Sequence, residues 1–94
     1  MDTETIRKLV IEVLHEVQTE SGREWVDLSD RSKPIGLLDG FDSLTGIEAT
    51  VILEGRLRTS LGVESIFVSQ EGDRALRLGE IVTSIAAVVA RRGE

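Results

Sequence analysis

The side chains best able to form a bond or hold a charged group converge on one stretch of the sequence. It runs Leu37-Leu38-Asp39-Gly40-Phe41-Asp42-Ser43-Leu44-Thr45-Gly46-Ile47-Glu48. Ser43 offers a hydroxyl. Asp42 before it is a strong helix N-cap type, because its carboxylate can accept from the unpaired N–H groups of a first turn. A serine in that turn has its hydroxyl near the mouth of the preceding loop. A phosphate ester there would meet free N–H groups and the positive end of the helix dipole, both of which favour an anion. The same spacing also describes an ordinary structural serine at a helix start, and on spacing alone both readings stand. Asp39 and Asp42 read as a loop acid and a cap in preference to a metal pair.

Other chemistries find little support. There is no cysteine, so disulfides, thiolate metal sites and cysteine nucleophiles are excluded. The one histidine is His15, so a Ser-His-Asp triad could use only that residue. His15 lies between Leu14 and Glu16 with no ligand cluster beside it, which reads as a surface or boundary position. Gly36 and Gly40 have the wrong spacing for a phosphate-cradling loop, and no lysine follows them. The expectation is no catalytic residue and no metal site.

Acidic residues outnumber basic ones, 17 to 11, for a net charge of -6. Nucleic acid and anionic membrane surfaces are poor partners for such a chain, whereas a basic protein is attracted. No stretch reaches the ~18 apolar residues of a membrane span. The start, Met1-Asp2-Thr3-Glu4, lacks the pattern of a signal peptide, so a cytoplasmic location is expected. With 94 residues the chain reads as one domain, 1–94. A chain of this size buries only about 60–65% of its unfolded surface, enough for a modest core.

The elements that must position Ser43 follow from periodicity. Residues 4–18 place Ile6, Leu9, Val10, Val13, Leu14 and Val17 on one helical face, with Asp2 or Thr3 as cap and Gly22 as stop. Residues 19–41 form a long polar connection, pinned by Trp25, Val26, Leu28, Ile35, Leu37 and Leu38. Residues 43–61 form a second long helix ended by Gly62. Gly46, Thr50, Leu53, Leu57 and Leu61 turn to its core face, and Glu48, Val51, Ile52 and Gly55 turn outward. Leu44 is expected to pack inward. Ser69 could cap a short turn of helix from Gln70 to Ala75. Residues 78–92 form the last helix, with Leu78, Ile81, Val82, Ile85, Val88 and Val89 inward and Gly93 as its stop. Three long helices, one short one and no convincing strand give an all-α fold, a small four-helix bundle.

The stretch Asp42-Ser43-Leu44, its Leu/Asp/Gly-rich approach and the following Ile47-Glu48 resemble the attachment motif of acyl carrier proteins and related carrier domains. The likeness continues through Leu53-Glu54 and Leu57, and covers the helix layout and chain length. The tripeptide alone is not specific; the combination is fairly so. The resemblance implies a bundle of the acyl-carrier type. A phosphopantetheinyl transferase would attach 4′-phosphopantetheine from coenzyme A to Ser43, with Asp42 and Leu44 flanking the attachment point. The arm's thiol would carry an acyl or related acid as a thioester for fatty-acid, polyketide or related biosynthesis. The chain would be a monomer with no catalysis of its own, delivering its cargo to loading and transferring enzymes. Asp39, Glu48, Val51 and Ile52 would form the docking surface.

The sequence also departs from the family pattern. Thr45 stands where an acid is common, and Arg56 and Arg58 dilute the acidity of the second helix. Outward Val51 and Ile52 suggest a more apolar docking face and a dedicated pathway. Phe41 replaces a smaller residue and could wedge the loop against the bundle. Gly46 and Gly55 read first as sites of close helix packing and second as room for a bound chain. Arg58 to Leu61 adds about one helical turn. Trp25 reads as a loop anchor. Two rival functions are an unmodified helical adaptor that works by protein contact and a helical DNA-binding module, which the acidic balance disfavours.

Overall fold

The computed structural model describes residues 1–92. Three long helices and one single-turn element follow one another: α1 (Thr3–Glu20), α2 (Pro34–Leu37), α3 (Ser43–Leu57) and α4 (Leu78–Arg92). No strand forms among the described residues; the nearest thing is one antiparallel bridge, Val68 to Ala75. The fold is all-α, and α1 packs against both α3 and α4. Gly93, expected as the last helix stop, lies outside the described residues.

An acid serves the start of each long helix. Asp2 caps α1, its carboxylate accepting from the Thr5 N–H at 2.8 Å. Asp42 does the same for α3 through Thr45. At α4, Glu80 reaches back to accept the Arg77 N–H at 2.9 Å. These bonds satisfy donors that a helix start would otherwise leave unpaired. The apolar stripes then meet. Ile6, Val10, Val13 and Leu14 of α1, Leu53 of α3 and Leu78, Ile81 and Ile85 of α4 are fully buried together. Phe67, from the 58–77 connection, is buried with them.

The long first connection is a strap tied down at both ends of the bundle. Its middle lies on the start of α4, where the Leu78 and Gly79 N–H groups donate to the carbonyls of Ser32 and Asp30. Arg7 of α1 grips the Asp30 carboxylate with two nitrogens, at 2.8 and 3.1 Å. Trp25 anchors the strap edge-on against His15, with ring centroids 4.9 Å apart.

Several sequence expectations need correction. Val26 and Leu37, expected to pin the first connection, are exposed. The short element lies at Pro34–Leu37, not at 70–75, and it is a turn. Inside it Ile35 (φ -72°, ψ 118°) and Gly36 (φ 102°, ψ -31°) have the angles of a type II turn, which needs glycine at its third position. The 70–75 region is a tight reversal. The Leu76 N–H donates to the Phe67 carbonyl, the Ser69 N–H donates to the Arg74 carbonyl, and the Ser69 hydroxyl goes to Asp73 instead of capping a helix.

The second long helix ends at Leu57, not Leu61. Arg58 takes the left-handed conformation at φ 53°, so the extra helical turn expected from 58 to 61 does not form. The Glu54 carboxylate accepts the Leu61 N–H at 2.8 Å, and Leu61 is buried from the loop. Gly62 therefore ends no helix.

Candidate functional site

Ser43 is the first residue of α3 and is exposed. What presents it is the strap's last turn. Leu38 and Phe41 are both buried, and the Phe41 N–H closes a turn onto the Leu38 carbonyl at 3.1 Å. Phe41 wedges the turn against Phe67, edge to face at 5.3 Å. Asp39 and Gly40 bulge outward between these anchors.

Both bulged residues have their carbonyls held. Gln18, in the last turn of α1, donates its amide to the carbonyls of Asp39 (2.8 Å) and Glu24 (3.1 Å). Arg23 donates to the Gly40 carbonyl at 2.7 Å. Gln18 is buried, and its Oε1 has no hydrogen-bond partner among the described residues. Sequence reasoning missed both residues. Gln18 carried a signal, because it stands four residues after Leu14, on the buried face of α1 where an apolar residue belongs. Arg23 carried none.

Asp42 accepts at one oxygen from both the Thr45 N–H (2.9 Å) and the Thr45 hydroxyl (3.0 Å). These two bonds, backbone first, hold its carboxyl below its ordinary proton affinity, with the charge of Arg23 adding to them. Thr45 therefore serves the cap through both its N–H and its hydroxyl. The sign of the pH effect follows. A depressed carboxyl stabilises the fold above its unfolded value, near 3.8, and loses that contribution as pH falls through its folded value. We expect the Thr45 amide resonance to titrate with a midpoint below 3.8. Asp42→Asn should keep the cap and abolish the titration. An unshifted midpoint would remove the carboxylate from the site's electrostatics.

Leu44 does not pack inward; it is 66% exposed. The reason is register. The core-facing positions of the first turn go to Thr45 and Gly46, so Leu44 falls on the outward side. Val51, at 61% exposure, continues that outward face, with Ile52 and Glu48 beside it. Arg56 does not share it, because its guanidinium turns to Glu12 and Glu16 of α1. Asp39, also expected at a docking surface, is exposed on the strap's last turn.

The two helical glycines differ. A Cβ on Gly46 would meet Ser65 Oγ at 3.1 Å, Ile35 at 3.6 Å and Phe67 at 3.7 Å, so close packing explains it. Gly55 has open space around it, and the packing expectation fails there. Ser65 also lines a cleft of about 720 Å³ between the 61–76 segment and α4, whose walls include Ile66, Leu76, Val88, Arg74 and Arg91.

Among the described residues no three His, Asp or Glu side chains are grouped to hold a metal ion. Among the described residues, no helix is long and apolar enough to cross a membrane. Comparison with protein-family models, with characterised proteins and with solved structures finds no match for this chain.

Proposed function

We propose that this chain is an acyl carrier protein, bearing 4′-phosphopantetheine on Ser43. The observation that carries the reading is the setting of that hydroxyl. It is exposed, on the first residue of a fifteen-residue helix, behind a capping aspartate and a turn braced from two sides. A phosphodiester there lies at the positive end of the dipole, where its permanent charge is stabilised.

In the loading reaction the Ser43 oxygen attacks the pyrophosphate phosphorus of coenzyme A that bears the pantetheine. Adenosine 3′,5′-bisphosphate leaves, and the hydroxyl proton passes to a base on the transferase. The cargo acid then forms a thioester with the arm's thiol, which is the only thiol available because the chain has no cysteine. The chemistry at the cargo belongs to partner enzymes. Leu44, Val51 and Ile52, flanked by Glu48, give those enzymes an apolar surface to dock on. Because Arg56 is neutralised against α1, its charge does not oppose a basic partner at that face.

The decisive experiment is intact-mass analysis after incubation with coenzyme A and a broad-specificity phosphopantetheinyl transferase. The wild-type chain should gain one phosphopantetheine group, and Ser43→Ala none. A chain that gains nothing from several transferases is not a carrier. The exposed α3 face would then point to a protein adaptor.

A further inference from the structure

The turn before Ser43 is held by contacts that the attachment motif does not contain, and one of them comes from Arg23. This residue stands just past Ser21 and Gly22 at the end of α1, and its own N–H donates to the Gln18 carbonyl at 2.8 Å, fixing its backbone to the helix end. Its side chain crosses the last turn of the strap and donates to the Gly40 carbonyl at 2.7 Å. The approach is close. A Cβ built on Gly40 would stand 2.6 to 2.9 Å from Nε, Cζ and Cδ of Arg23, so only glycine lets the guanidinium lie there. Gly40 also has φ +65°, which glycine adopts without strain. Gly40 is three residues before Ser43.

We propose that Arg23 is a positioning residue for the modification of Ser43. Through the Gly40 carbonyl it fixes the backbone from Leu38 to Asp42, and so fixes the angle at which the Ser43 hydroxyl meets the transferase. This inference rests on the carrier reading. Other constraints on the turn would survive loss of Arg23, namely burial of Leu38 and Phe41, the Phe41 N–H bond to the Leu38 carbonyl and the Gln18 bond to Asp39. The turn should therefore loosen without the bundle unfolding. The outward face of α3 does not include Arg23, so docking should persist while the orientation of the nucleophile degrades. An ångström of misplacement at a reacting atom costs up to about a hundredfold in rate.

The test is steady-state kinetics of transferase labelling, with the carrier as variable substrate, well below the melting temperature. Arg23→Ala should lower kcat about tenfold and leave KM within about twofold. Arg23→Lys, which keeps one donor able to reach the carbonyl, should recover part of the loss. In parallel, hydrogen exchange of the Phe41 amide should accelerate in Arg23→Ala, while amides in the middle of α1 and α4 keep their wild-type rates. Destabilisation alone would not give a kcat effect with unchanged KM while the chain remains folded. If wild type is labelled and Arg23→Ala is labelled at the same kcat, the positioning role is overturned and the carrier reading stands. If wild type accepts no label from several transferases, the carrier reading falls and takes this role with it.

Discussion

Replacing Phe67 with alanine should lower the unfolding free energy by about 3–5 kcal/mol, the largest stability loss expected of any single truncation in this chain. Phe67 is the largest of the fully buried side chains. It belongs to no helix, yet it meets three parts of the fold. It lies edge to face with Phe41 of the strap, against Gly46 of α3, and within the cluster that includes α1 and α4. Truncation removes apolar transfer energy and opens a cavity that fixed helices cannot close. Total stability for a domain of this size is about 5–15 kcal/mol, so the variant should sit near the unfolding threshold at room temperature. Phe67→Leu, which keeps most of the volume, should cost far less. Chemical denaturation of the three proteins decides the matter. A loss below about 1 kcal/mol for Phe67→Ala would mean that this side chain is not in the core.

The second large effect is expected at Thr50. Its hydroxyl is fully buried, donates to the Gly46 carbonyl at 2.7 Å and accepts the Ile66 N–H at 3.0 Å. Thr50→Val keeps the shape and removes both bonds. The two losses are unequal. The Gly46 carbonyl lies inside α3, where a helical N–H can still serve it, whereas the Ile66 N–H is left buried without a partner. An orphaned buried donor costs about 1–3 kcal/mol, and that term should dominate. Thr50→Ser keeps the hydroxyl and loses a methyl, so it should lose about 1 kcal/mol. Equal stability of Thr50→Val and wild type would show that the bond to Ile66 contributes nothing. The Ile66 amide should also exchange faster in Thr50→Val, because this bond pins the 58–77 connection to α3.

The parts of the fold legible in the sequence are those governed by local periodicity and capping. The stripe from Ile6 to Val17, the stripe from Leu78 to Ile85 and the Asp42 cap were readable because each depends on neighbours within one or two turns. The end of α3 was not. Leu61 stays in register with Leu53 and Leu57, so the pattern continues past the point where the chain leaves the helix. What stops α3 is a left-handed arginine and a carboxylate–amide bond spanning seven residues, and neither has a periodic signature. Pro34 and Gly36 are turn-forming types and they do form a turn, whereas Ser69, a capping type, sends its hydroxyl to Asp73 and starts no helix.

The candidate site divides the same way. Ser43 at the start of α3 and Asp42 as its cap are legible from the residue types, whereas the attachment role of Ser43 comes from the resemblance. Leu44 was misplaced because one residue of rotation at a helix start decides between core and solvent. Gln18 and Arg23 act on carbonyls 21 and 17 residues away, contacts that no local pattern encodes.

The way the first connection is tied has a consequence for its variation over time. Many of its fastenings use peptide groups, the carbonyls of Glu24, Asp30, Ser32, Asp39 and Gly40, beside the side chains of Trp25, Asp30, Leu38 and Phe41. A carbonyl is present whatever the residue. Related chains should therefore diverge fastest at exposed positions such as Glu24, Val26, Arg31 and Lys33, while Gln18, Arg23, Trp25, Asp30 and Gly40 hold still.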